Sequence, residues 1–200
     1  MFLKIKKITF AAVLAILSIY TSNAQEATSW KIDKAHTFVN FSINHFFSSV
    51  PGNFTEFDGD FYFDANNLET SKANFTIASN SVNTRNEKRD NHLLSTDFFD
   101  AKNYSNITFK STKFEKQSDK EYLLHGKLTI KNKTKNITLV MKITGEMEHP
   151  MMKGTSVLGV NFNTSINRTD YGVGTGDWAT TMVVGDEVNI NIPMELTHKK

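Results

Sequence analysis

The chain has no cysteine, so a disulfide-stapled fold, a thiolate nucleophile, an iron–sulfur cluster and every sulfur-ligated zinc site are excluded. Only three prolines and 10 glycines occur in 200 residues, which excludes collagen-like repeats and Pro/Gly-rich linkers. An excess of one charge is missing as well. Three of the 23 basic residues, Lys4, Lys6 and Lys7, fall in a segment that the mature protein is expected to lose, and the remainder balance the 21 acidic residues. A near-neutral chain without a basic run carries no electrostatic footprint for nucleic acid or for an anionic membrane surface. A bilayer-spanning run is also lacking. The apolar stretch Ile8–Tyr20 is about 13 residues, against the roughly 20 needed to span.

That stretch follows Lys4-Ile5-Lys6-Lys7 and precedes Thr21-Ser22-Asn23-Ala24-Gln25, the layout of a secretory signal peptide with cleavage after Ala24. The expected division is a leader over residues 1–24 and one domain over residues 25–200. No cysteine follows the apolar run, so a bacterial lipoprotein anchor is excluded. The expectation is a periplasmic or secreted protein without stable membrane insertion.

What is present is phenylalanine, 16 residues of it, all but Phe2 and Phe10 beyond the leader. Most fall in runs of period two. Apolar residues alternate with polar ones at Val39, Phe41, Ile43; at Phe57, Phe61, Phe63; at Ala73, Phe75, Ile77; and at Ile107, Phe109. Four more runs are Leu123–Ile130, Ile137–Ile143, Val160–Ile166 and Val188–Ile192. Alternation of this kind marks half-buried strands. Eight of them predict an all-β fold, an eight-stranded antiparallel barrel of lipocalin-like plan. Triplets such as Asn40-Phe41-Ser42, Asn74-Phe75-Thr76 and Asn106-Ile107-Thr108 match glycosylation sequons, but they read as polar residues filling the outward positions of strands.

The period breaks from Asn83 to about Tyr104. Thr84-Arg85-Asn86-Glu87 fits a capping box, which predicts a helix from Thr84 to Leu94, with a further turn at Thr96–Asp100. Leu93, Leu94, Phe98 and Phe99 give this insertion an apolar side to lay across the sheet. A second irregular segment is expected at His45–Asn53, where Phe46 and Phe47 precede Pro51-Gly52.

Catalytic and metal motifs are sparse. The six histidines (His36, His45, His92, His125, His149 and His198) form no His-x-His, His-x-Glu or His-Glu-x-x-His pair. No metal and no cofactor is expected. There is no Gly-x-Ser-x-Gly elbow and no phosphate-binding glycine loop; Gly172-Val173-Gly174-Thr175-Gly176 reads as a flexible turn. In Arg168-Thr169-Asp170-Tyr171-Gly172, Arg168 either pairs locally with Asp170 at the barrel rim or serves a ligand headgroup.

Several motifs, in order, go beyond periodicity. They include Trp30-Lys31-Ile32-Asp33 with His36-Thr37, Phe41-Ser42-Ile43-Asn44-His45, Gly52-Asn53-Phe54-Thr55-Glu56-Phe57-Asp58-Gly59, Arg89-Asp90-Asn91-His92-Leu93 and Asp97-Phe98-Phe99-Asp100. They continue with Tyr104–Ser111, Gly126–Ile130, Arg168–Gly172 and Gly185-Asp186-Glu187-Val188. In these the chain resembles the YceI-like family of secreted polyisoprenoid- or lipid-binding proteins, over about residues 30–196. The resemblance implies an extended lipocalin-like barrel that holds a long isoprenoid or related amphiphile and has no catalytic centre. Ser105 departs from the family's usual proline, and the His149–Lys153 loop with Met151 and Met152 has no family counterpart and is expected to bear on the barrel mouth.

Alternation then assigns the ligand-binding lining to Val39, Phe41, Ile43, Phe57, Phe61, Phe75, Ile77, Phe109, Leu128, Ile130, Leu139, Met141 and Phe162, with Arg168 for the headgroup. The expected partner is a polyisoprenoid, an isoprenoid quinone or a fatty compound, with a homodimer also open. Two other functions stay open: a ligand-free structural barrel, and an enzyme that uses His36, His45 or His92 with Asp90 or Asp170. The enzyme requires at least two of these residues to converge on one cavity wall.

Overall fold

The computed structural model describes residues 26–200; the expected leader lies outside the described residues. Eleven strands form one continuous antiparallel sheet: β1 (Thr28–Ile32), β2 (Val39–His45), β3 (Ser48–Phe54), β4 (Phe57–Phe63), β5 (Lys72–Ala78), β6 (Val82–Asn83), β7 (Asn106–Lys116), β8 (Glu121–Ile130), β9 (Lys133–Glu148), β10 (Thr155–Asn167) and β11 (Val184–Lys199). Among the described residues one α-helix, α1 (Glu87–Leu93), stands between β6 and β7.

The sheet closes because β1 pairs with both β4 and β11. The ring β1-β4-β5-β7-β8-β9-β10-β11 therefore has eight members, as the alternation predicts. β2, β3 and β6 continue three of them. β1 and β2 lie in turn along β11, with Ile32 opposite Leu196 and Asn40 opposite Asn191. In the same way β3 leads into β4, and β5 into β6 after a short 3-10 turn at Ser79–Ser81. The barrel thus has eight ribs, three of them interrupted, and the β2–β3 hairpin carries the wall beyond the ring.

Inward residues follow the pleat: in β10 Leu158, Val160 and Phe162 are buried, with less buried neighbours between them. Register shifts at Gly159/Val160 and at Ser111/Lys113 bend the long ribs, as bulges do, and help the sheet to close.

The two ends differ. At one end, where β10 begins and β11 finishes, the interior is solid. Phe61 stands among Phe63, Phe75, Phe114 and Phe162 at centroid distances of 6.0 to 6.4 Å, and Phe63 meets Tyr122 edge-on at 5.1 Å. Met141 and Leu196 are fully buried there. The Met151–Met152 turn joins β9 to β10 at this closed end, not at the mouth.

Two local expectations are corrected. The segment expected to be irregular from His45 to Asn53 is mostly strand. Pro51 is tolerated in β3 because the side away from β2 is paired only at Asn53 and Phe54. The helix begins later than Thr84. Asn86 caps it, its side chain accepting from Arg89 N at 3.0 Å, while the buried Thr84 is held by the Asp90 carboxylate and the Arg89 guanidinium.

Candidate functional site

At the end opposite the aromatic plug the ribs enclose a cavity of about 570 Å³, well within the range of small-molecule sites. Its existence depends on where the phenylalanine rings lie. A methyl group on Gly52 would stand 2.3 Å from Phe41 Cζ, and one on Gly126 the same distance from Phe109 Cζ. Each ring therefore occupies the space above a glycine in the adjacent rib. It lies along the wall and leaves the centre of the barrel open.

Of the residues assigned to a lining by alternation, Val39, Phe41, Ile43, Phe57, Phe75, Ile77, Phe109, Leu128, Ile130, Leu139 and Arg168 stand in the cavity wall. Phe61, Met141 and Phe162 do not. They have the predicted inward orientation, but farther down their ribs, where side chains fill the interior. Alternation also misses Phe54, Phe98, Phe99, Leu93, Val173 and Trp178, which close the wall at the mouth. Phe98, Phe99 and Leu93 were legible as the apolar side of the insertion; Trp178 and Val173 carry no periodic signal.

The mouth is covered by two segments tied together. Gly174 N and Thr175 N both donate to Asp97 O, at 2.9 and 2.8 Å. Trp178 lies edge-on to His92 at 5.1 Å and tilted against Phe98 at 5.7 Å. Lys131 Nζ reaches Gly172 O at 2.9 Å. Gly172, Gly174 and Gly176 all have positive φ, consistent with the turn expected there. At Gly174 a side chain would also strike Arg168 Nη1.

Arg168 does not pair with Asp170, which faces Lys135 at 3.6 Å. Its guanidinium is buried and donates to Gly185 O (2.8 Å), Val173 O (2.9 Å), Val184 O (3.0 Å) and Thr180 O (3.3 Å). Four of its five N–H groups are thus engaged with backbone carbonyls of the covering loop and of the start of β11. Burial holds its pKa below the usual arginine value, with Asp186 acting in the opposite sense. Beside it, burial, reinforced by the charge of Asp170, pushes the Tyr171 hydroxyl up to about 12.

Two of the five candidate catalytic groups reach the cavity wall, and neither is a carboxylate. His45 and His92 stand in the wall, but His36, Asp90 and Asp170 do not, and no carboxylate lines the cavity among the described residues. His92 faces Asp97 at 3.4 Å. His36 lies outside the barrel, where its Nδ1 is 2.9 Å from Asp33 and 3.8 Å from Glu195. These three groups come within reach of one another, a proximity that their sequence spacing did not suggest. The Asp33 contact, as hydrogen bond and as charge, raises the His36 pKa, and Glu195 adds to it.

The pattern that defines the YceI-like domain matches residues 30–196. Protein YceI of Salmonella agona is 40% identical over 145 residues, 71% of this chain and 73% of its own. Among solved structures, Burkholderia cenocepacia BcnA superposes with a TM-score of 0.73 at 26% identity, covering 82% of this chain and 99% of that one. A polyisoprenoid binding domain from Saccharophagus degradans, implicated in plant cell wall breakdown, shares the fold with a TM-score of 0.65 at 15% identity, covering 86% and 99%. No helix among the described residues is long and apolar enough to cross a membrane.

Proposed function

Since the chain belongs to the YceI-like family, we propose that it is a non-catalytic carrier that holds one long apolar amphiphile in its barrel, in the extracytoplasmic space. The observation that carries this reading is the cavity, walled by aliphatic and aromatic side chains and capped by α1 and the Arg168–Val183 loop. Burying a hydrocarbon chain is worth about 0.8 kcal/mol per methylene, so a long chain binds tightly with few polar contacts. A polyisoprenoid, an isoprenoid quinone or a fatty compound fits that requirement, and the name of the Saccharophagus neighbour is consistent with it. The signal-like segment ahead of the domain supports the location.

In this reading Val39, Phe41, Ile43, Phe57, Phe75, Ile77, Phe109, Leu128, Ile130 and Leu139 contact the chain. Arg168 fixes the cover, and only one of its N–H groups is left for a headgroup. The test is uptake of a prenyl alcohol and of a long fatty acid by delipidated protein, against a Leu128→Trp variant whose indole occupies the cavity. One equivalent bound by the native protein, and at least about tenfold weaker binding by a variant with unchanged melting temperature, is the expected result. Absence of uptake, or equal uptake by the two proteins, overturns the reading.

A further inference from the structure

We infer that the tip of the β2–β3 hairpin, with Met182 beside it, seats the open end of the barrel on the surface of a lipid bilayer. The tip is Phe46-Phe47, a two-residue loop closed by the His45–Ser48 pair. Phe47 is fully exposed (104%), Phe46 is 57% exposed and Met182 85%. Phe46 N donates to Val183 O at 2.8 Å, so the three side chains come from adjoining backbone and form one apolar projection.

Two features distinguish this projection from incidental surface hydrophobes. Phe46 has φ of 50°, at the first central position of a hairpin loop where glycine or asparagine is the usual occupant. A bulky ring is held there against the backbone's preference, and such outliers point to a use. The projection is also continuous with the cavity. β2 carries Phe41, Ile43 and His45 along the wall and ends at His45, next to Phe46, while Val184, opposite His45, also faces the cavity. An apolar chain leaving the barrel by this rib passes from the wall to the tip.

The chamber selects the occupant: an apolar cavity whose wall runs on into an exposed apolar tip loads and unloads hydrocarbon at a lipid surface. Charge at this end is mixed, since Lys88 and Arg89 on α1 stand beside the exposed Glu87 and the covering loop carries the exposed Asp170 and Asp177. Aromatic side chains seated at the acyl boundary without a net basic patch describe a peripheral contact made by apolar burial. A second exposed apolar group, Met147, Met151 and Met152, sits at the closed end with no cavity behind it. The docking proposal serves the carrier reading but is tested apart from it, on delipidated protein with no cargo present.

The experiment is flotation with vesicles of phosphatidylethanolamine and phosphatidylglycerol, using the whole secreted chain. Native protein floats with the vesicles. The triple variant Phe46→Gly, Phe47→Ser, Met182→Ser binds at least about tenfold more weakly, and its melting temperature is unchanged or raised because glycine relieves the loop. The variant Met151→Ser, Met152→Ser floats as the native protein does. Failure of native protein to float, equal flotation of the triple variant, or loss in the closed-end variant overturns the proposal. So does a native dimer that the triple variant dissociates without change in flotation, because the tip is then covered by a second copy.

Discussion

A buried guanidinium that donates only to backbone carbonyls acts as a clamp, and Arg168 holds Val173, Thr180, Val184 and Gly185 in one arrangement over the cavity. Arg168→Met leaves those carbonyls without their donor, and an expected loss of about 3 kcal/mol is measurable by urea unfolding. The glycine–phenylalanine pairs act on volume instead. Gly126→Ala drives the Phe109 ring off the wall, at a cost of about 1–3 kcal/mol, and it narrows the cavity. Affinity for a long-chain ligand should fall more than affinity for a short one, as read by calorimetric titration. On the outer surface His36 supplies a pH test. Its pKa is raised above 6.5 chiefly by Asp33, and that of Asp33 is lowered below 3.8 chiefly by His36. The His36 contribution is complete below pH 6.5 and is lost as pH rises through its folded value. The Asp33 contribution is present above pH 3.8 and is lost as pH falls through its folded value. The contact is therefore intact between these limits, and NMR titration of Asp33→Asn should return His36 towards 6.5.

The elements were the most legible part of the sequence. Each of the eight alternating runs corresponds to one rib, because period two is imposed by the pleat itself. The three interruptions were less visible. β3 contains Pro51-Gly52, which reads as a turn in isolation, and only its nearly unpaired far side makes it a strand. α1 was legible in existence but not in its start. Thr84 has the residue type of a cap, yet side-chain contacts to Asp90 and Arg89 of the helix itself claim it, and Asn86 takes the role. Asn86→Ala should therefore destabilise by about 1 kcal/mol in thermal unfolding. Since α1 forms part of the cover, it should also speed ligand release in stopped-flow displacement.

The whole barrel divides into a plug and a chamber, and this division is what alternation cannot report. Phe61, Met141 and Phe162 share the inward face with Phe41, Phe75 and Leu139, but depth along the rib decides which of them meets the cavity. The mouth was hidden for a related reason: Trp178 and Val173 arrive from a glycine-rich turn and are placed by Arg168, whose partners are backbone carbonyls that carry no side-chain signal. An apolar chamber closed at one end, covered at the other and, among the described residues, lined without carboxylates supports the carrier proposal. The most direct test is native mass spectrometry of protein isolated from its own host's extracytoplasmic fraction, before and after organic extraction. A carrier shows a mass increment of one lipid per chain that leaves on extraction and returns on incubation with the extract. A single unliganded mass throughout, unchanged by that incubation, would contradict the account.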